Sequence, residues 1–155
     1  MQIQTIDDRQ EKQRIARVIL ELLPEWFGIP EAREAYIRES ADEIMVTAAA
    51  EEGSVKGFLC LKETGKATVE LVVMGVLKQY HRQGIGTALA EEAKRIARER
   101  GYSFLQVKTV QMGHYPEYDA TNRFYRSLGF QEFEVIQTLW DEENPCQIYV
   151  MSVAS

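Results

Sequence analysis

The sequence predicts a mixed α/β domain of about seven strands and four helices, and three observations carry that expectation. Strand-like and helix-like stretches alternate at short spacing along the 155 residues, the pattern of a layered α/β protein. Three consecutive strand-like stretches have connections too short for a crossover, which makes them antiparallel neighbours. Hydrophobic residues make up 45% and charged residues 27%, the balance of an ordinary globular chain. The length suits one domain, 1–155, with a core that needs no disulfide or metal staple.

Residues 2–6 read as a strand. Asp7 or Asp8 caps a helix running to about Leu23, with Ile15, Val18, Ile19 and Leu22 on one face and Pro24 at its end. Pro30 is a good first-turn residue for a second helix, to about Ser40. Strands follow at 43–50 and 55–63, joined by the hairpin turn Glu51-Glu52-Gly53-Ser54, and at 67–76 after a turn around Gly65. A long helix spans Gly84 to Arg100. Its core face is Ile85, Leu89, Ala93 and Ile96, and Gly101 stops it. Residues 103–110 alternate, Leu105, Val107 and Thr109 opposing Gln106 and Lys108. A loop at 111–118 leads to a helix at 119–128 closed by Gly129. Strands at 130–139 and 147–153 end the domain, joined by Asp141-Glu142-Glu143-Asn144-Pro145.

Composition excludes some classes. The formal net charge of −6 argues against a nucleic-acid partner, which needs a basic patch, and permits a cationic acceptor. Cys60, Cys146 and the two histidines lack metal-ligand spacing, so no metal is expected. No basic-then-apolar leader and no long apolar run is visible, so no membrane association and a cytoplasmic location are expected.

The most informative stretch runs from Glu70 through Met74-Gly75-Val76 to His81-Arg82-Gln83-Gly84-Ile85-Gly86-Thr87. A buried strand passes through a polar turn into a helix that opens with two glycines. A helix's first turn leaves backbone N–H groups without partners and carries partial positive charge. Glycines there clear the approach, so the opening is either an anion site suited to a pyrophosphate or a tight turn that needs positive φ. A Walker loop fails because Thr87-Ala88 follows Gly86, and a dinucleotide fingerprint fails on Leu89. Gly75, inside a strand, marks either a bulge or relief of crowding in the core. A bulge would expose the N–H and C=O groups of Met74 and Val76.

His81-Arg82-Gln83-Gly84-Ile85-Gly86 resembles the signature of the GCN5-related N-acetyltransferase (GNAT) superfamily: Gln or Arg, two residues, Gly, one residue, Gly or Ala. His81 replaces the usual first residue. Ala120-Thr121-Asn122-Arg123-Phe124-Tyr125 and Leu128-Gly129-Phe130 resemble the family's later helix, with Asn and Tyr here three apart. The resemblance covers about residues 43–153. Pro24 to Glu31, Val107-Lys108-Thr109 and Leu139-Trp140-Asp141 with Asn144-Pro145-Cys146 further resemble a bacterial subgroup.

The resemblance implies an acyl-CoA N-acyltransferase fold with a central splayed strand pair. It implies acetyl-CoA as cosubstrate, held by His81, Arg82, Gln83, Gly84, Ile85, Gly86 and Thr87, by the strand backbone at Met74 and Val76, and by Asn122 and Tyr125. It implies direct attack by an amine in a ternary complex, with Tyr125 as acid toward the departing thiolate. Tyr125 otherwise reads as a core residue beside Phe124 and Leu128. Glu70 is the candidate base, and its alternative is an exposed place on the sheet. Backbone near Met74 or Val76 would polarise the acetyl carbonyl. His114 is a loop residue or lines the acceptor side. Trp26, Phe27 and Tyr36 are core or an acceptor wall, and Glu25, Glu31 and Glu34 are a solvated face or an attractor for a cation. Cys146 is not expected to carry acetyl covalently. The acceptor is a small-molecule or peptide amine, and a homodimer stays open. The competing reading is a non-catalytic acyl-CoA-binding or sensor domain, which would bind coenzyme A without releasing thiol.

Overall fold

Asp8 opens the first helix because its carboxylate accepts the Glu11 N–H at 2.8 Å, satisfying a donor the helix cannot. In the computed structural model, which describes residues 1–154, strand β1 (Gln2–Ile6) precedes α1 (Arg9–Glu21) and α2 (Pro30–Ser40). There follow β2 (Ile44–Ala49), β3 (Val55–Gly65), β4 (Thr68–Val76), α3 (Ile85–Glu99), β5 (Phe104–Val110), α4 (Pro116–Ser127), β6 (Gln131–Asp141) and β7 (Asn144–Ser152). The seven strands form one sheet in the order β1-β2-β3-β4-β5-β7-β6. Among the described residues, no helix is long and apolar enough to cross a membrane.

The chain divides into two compact units. The first comprises Met1–Lys62 and Val72–Arg95. Within it β1 pairs antiparallel with β2, and β2 with β3, from Ile44↔Leu61 to Ala49↔Val55. The apolar face of α1 (Ile15, Ala16, Ile19, Leu20) packs with Leu23, Met45, Phe58, Cys60 and Val73 into one core. This packing explains Gly75. A Cβ there would lie 3.0 Å from Ile19 Cγ2 and 3.0 Å from Leu23 Cδ1, so the glycine is the floor on which α1 rests. Of the two sequence alternatives, relief of crowding is the one this contact supports.

The second unit comprises Glu63–Leu71 and the residues from Ile96 onward. Thr68–Leu71 of β4 pair in parallel with Phe104–Val107 of β5. β5 in turn pairs antiparallel with β7, from Phe104↔Ser152 to Val110↔Cys146. β6 pairs with β7 and ends the sheet order, leaving Phe133, Leu139 and Trp140 exposed.

Two boundaries differ from the sequence expectation. α4 begins at Pro116, inside the expected loop, because proline suits a first helical turn that needs no N–H. The last two strands run further, leaving only Glu142 and Glu143 between them. Asp141 Oδ1 holds that turn by accepting from the Glu143 N–H at 3.0 Å and from Asn144 Nδ2 at 2.8 Å. Pro145 fits inside β7 because the ladder shifts register between Ile136 and Asp141, where a missing N–H costs no regular ladder bond.

Gly75→Val should destabilise the fold by about 1–3 kcal/mol, the usual penalty of overpacking a filled core. A urea titration followed by circular dichroism reads this as a lower midpoint with unchanged slope; an unshifted midpoint would show that α1 does not depend on the gap.

Candidate active site

The approach to α3 is built entirely within the first unit. At the end of β4, the Leu77 N–H donates to the Lys56 carbonyl at 2.9 Å. A short 3-10 turn at Lys78–Tyr80 then reverses the chain. His81 closes that turn, its N–H bonded to the Lys78 carbonyl at 3.1 Å. Arg82 has φ 63° and Gly84 φ 80°. A left-handed non-glycine residue costs on the order of 1–3 kcal/mol and tends to persist at functional positions. The first bond of α3 is Ala88 N–H to the Gly84 carbonyl, at 3.0 Å. The N–H groups of Ile85, Gly86 and Thr87 therefore precede the helical ladder and have no intrahelical acceptor. Residues 81–84 and Thr87 are exposed, Gly86 is half-buried, and Ile85 anchors the turn in the core.

Two side chains of this turn fold back onto it. His81 Nε2 lies 2.7 Å from the Val76 carbonyl, with its ring edge-on to Trp26 at 5.9 Å. Gln83 Nε2 donates to the Gln79 carbonyl at 3.2 Å. Any contribution of this turn to an anion thus falls mainly to backbone and to the exposed Arg82. Met74 and Val76 are half-buried on one face of β4, with Val72.

Trp26, Phe27 and Tyr36 are partly buried against the core of the first unit, and the rings of Phe27 and Tyr36 meet edge-on at 5.9 Å. Glu25 pairs with Lys78 at 2.6 Å and Glu34 with Arg17 at 2.8 Å. Each hydrogen bond to a cation holds its carboxyl below the usual range.

In the second unit, Glu70 is buried and Lys108 Nζ donates to its carboxylate at 2.8 Å. Glu70 stands opposite Gln106 in the ladder, so Lys108 reaches it diagonally, two residues along β5. Sequence alone does not single out Lys108, because its proximity to Glu70 exists only once β4 and β5 pair in this register.

Tyr125 is 7% exposed, its ring 5.7 Å from Phe124, 5.7 Å from Phe130 and 6.2 Å from Tyr149. Asn122 is wholly buried. Its Nδ2 donates to the Val110 carbonyl at 2.8 Å and the Tyr118 carbonyl at 2.7 Å, while Oδ1 accepts from the Tyr149 hydroxyl at 2.6 Å. An amide has two N–H groups, and both of those on Asn122 are bound to backbone carbonyls. The reason is that α4 buries this residue between β5 and β7. His114 is exposed in the loop before α4.

The sequence model of the Acetyltransferase (GNAT) family matches residues 12–130. The chain belongs to that family. The fold agrees. A protein assigned to the GNAT family from Desulfovibrio desulfuricans superposes with a TM-score of 0.81, at 20% identity and 99% coverage of both chains. An aminoglycoside 6'-N-acetyltransferase complexed with coenzyme A gives 0.75, at 17% identity over 99% of this chain and 97% of that one. The ribosomal-protein-S18-alanine N-acetyltransferase from Escherichia coli gives 0.77, at 17% identity over 99% and 96%. No curated protein matches the sequence.

The two cysteines of this GNAT chain are both buried and unpaired. Burial pushes the Cys146 thiol up to about 11, Glu70 adding to the shift and Lys108 opposing it. Burial, then Glu43, raises Cys60. A raised thiol pKa leaves little thiolate near neutral pH, and the thiolate is the reactive form. A chromogenic disulfide reagent at pH 7.5 should therefore react with neither thiol in the native protein and with both in guanidinium; rapid native labelling would show that a cysteine is accessible and activated.

Proposed function

We propose that this chain is a single-domain acetyl-CoA:amine N-acetyltransferase that works by direct attack in a ternary complex. The observation that supports it is the opening of α3, where the left-handed Arg82 and Gly84 lead into a first turn whose Ile85, Gly86 and Thr87 N–H groups have no intrahelical acceptor, in a chain of the GNAT family. Such a row of oriented donors at a helix N-terminus fits a pyrophosphate, the helix dipole adding to the attraction. Arg82 would reach a phosphate with its exposed guanidinium. Backbone at Met74 and Val76 would pair with the amides of the pantetheine arm as a strand does. His81, bonded to the Val76 carbonyl, would fix that carbonyl's direction while leaving its second lone pair free.

The bound cosubstrate supplies an acetyl thioester. Around it the residues take simple roles. Glu70 accepts the proton lost by the attacking amine, directly or through water, and the neighbouring Lys108 keeps the buried carboxylate compensated. The new C–N bond replaces the C–S bond, and Tyr125 supplies the proton to the departing thiolate. The acceptor is a small-molecule or peptide amine. The structural relatives named for an aminoglycoside and for a ribosomal-protein alanine show how widely amines vary on one fold. We place the reaction in the cytoplasm, without nucleic acid or membrane.

A thiol-release assay with acetyl-CoA and a panel of amines should give turnover with at least one acceptor class; coenzyme A binding with no release across the panel would favour a sensor domain. Gly86→Glu puts a side chain and a negative charge into the donor row, so calorimetry should detect no acetyl-CoA binding, and wild-type affinity would misplace the pyrophosphate. Tyr125→Phe should lower kcat by roughly 10²–10⁴-fold, the range of general acid–base catalysis, with acetyl-CoA affinity retained. Wild-type turnover in that variant would remove Tyr125 from the mechanism.

A further inference from the structure

Tyr149 is the largest fully buried side chain in the protein and stands on β7 opposite Val107. Its hydroxyl donates to Asn122 Oδ1 at 2.6 Å and accepts from Arg126 Nε at 3.1 Å, so its orientation is fixed from both sides. Arg126 is held in turn by an ion pair with Glu132. Asn122 passes the constraint on. By donating to the carbonyls of Val110 and Tyr118, it joins the end of β5 to the first turn of α4. The Tyr149 ring also lies 6.2 Å from that of Tyr125, tilted by 48°. One residue therefore sets the seat of α4 through Asn122 and the ring of Tyr125 by contact. Buried polar networks of this kind rigidify when every member is satisfied.

We infer that Tyr149 is a positioning residue for Tyr125, acting through the chain Arg126–Tyr149–Asn122. The inference rests on the reading of Tyr125 as the acid. Loss of the Tyr149 hydroxyl leaves Asn122 Oδ1 without its donor and lets the start of α4 shift. A displacement of about 1 Å at a reacting group can cost roughly 100-fold in rate, whereas the donor row at α3 is left untouched.

The test is a double-mutant cycle in the thiol-release assay. Tyr149→Phe should lower kcat by roughly 10–100-fold with the KM for acetyl-CoA within about twofold of wild type. The double variant Tyr125→Phe/Tyr149→Phe should be no slower than Tyr125→Phe alone, since groups acting as a unit are not additive. A residue that served stability only would slow the double variant further, and multiplicative losses would overturn the inference. So would wild-type kcat in Tyr149→Phe. Wild-type kcat in Tyr125→Phe is a different result and would take the acid reading down together with this one. If Tyr149→Phe does not fold, Arg126→Met removes the other bond to the hydroxyl from the surface. That variant should lose kcat several-fold with unchanged KM, and full activity in it would also overturn the inference.

Discussion

A helix cannot satisfy the N–H groups of its own first turn, and the arrangement of this chain around α3 follows from that fact. The strand ending at Val76 and the 3-10 turn after it deliver the chain to Ile85, whose buried side chain fixes the helix start. Arg82 and Gly84 absorb the change of direction by turning left-handed. His81 and Gln83 spend their side chains holding the turn itself. What remains is the exposed side chain of Arg82 and the backbone N–H groups of Ile85, Gly86 and Thr87, which the helix itself cannot satisfy.

Asn122 shows how burial binds a residue that matches a family pattern into its own surroundings. Its position on α4 agrees with the later helix of the GNAT resemblance, and its amide is engaged with Val110, Tyr118 and Tyr149. Burial decides the matter. An amide removed from water must find partners within the protein, and here two strands and its own helix supply them. The pairing of Glu70 with Lys108 follows the same logic, since a buried carboxylate without a cation would carry a large desolvation cost.

Much of this was legible from local chemistry. The carboxylate of Asp8 and the proline at the start of α2 each act within a few residues, so the sequence displays them directly. The expected face of α1 holds only in part: Ile15 and Ile19 are buried, but Val18 and Leu22 are exposed, and Ala16 and Leu20 face the core instead. Pro116 carried the same signal as Pro30, but the first turn of α4 is polar and its apolar period begins only at Thr121, which hid the helix start. The family motif pointed to Gly84 and Gly86. The role of Gly75 was open because the atoms that crowd it belong to α1, far away in sequence. The partnerships of Lys108 with Glu70 and of Tyr149 with Asn122 were illegible for a similar reason. Their meaning depends on which strands are neighbours and in what register, and no periodicity encodes that.

One of the two edge strands, β6, has a colloidal consequence. A strand at the end of the sheet order offers one row of N–H and C=O groups to any passing chain, and β6 adds the exposed rings of Phe133 and Trp140. The exposed carboxylates of Glu134 and Asp141 lie along the same strand and repel a second copy of it, the usual guard on such an edge, while Arg126 compensates Glu132. These charges are thus the guard at this edge, and acid or concentrated salt, which silences them, would lower that barrier between copies.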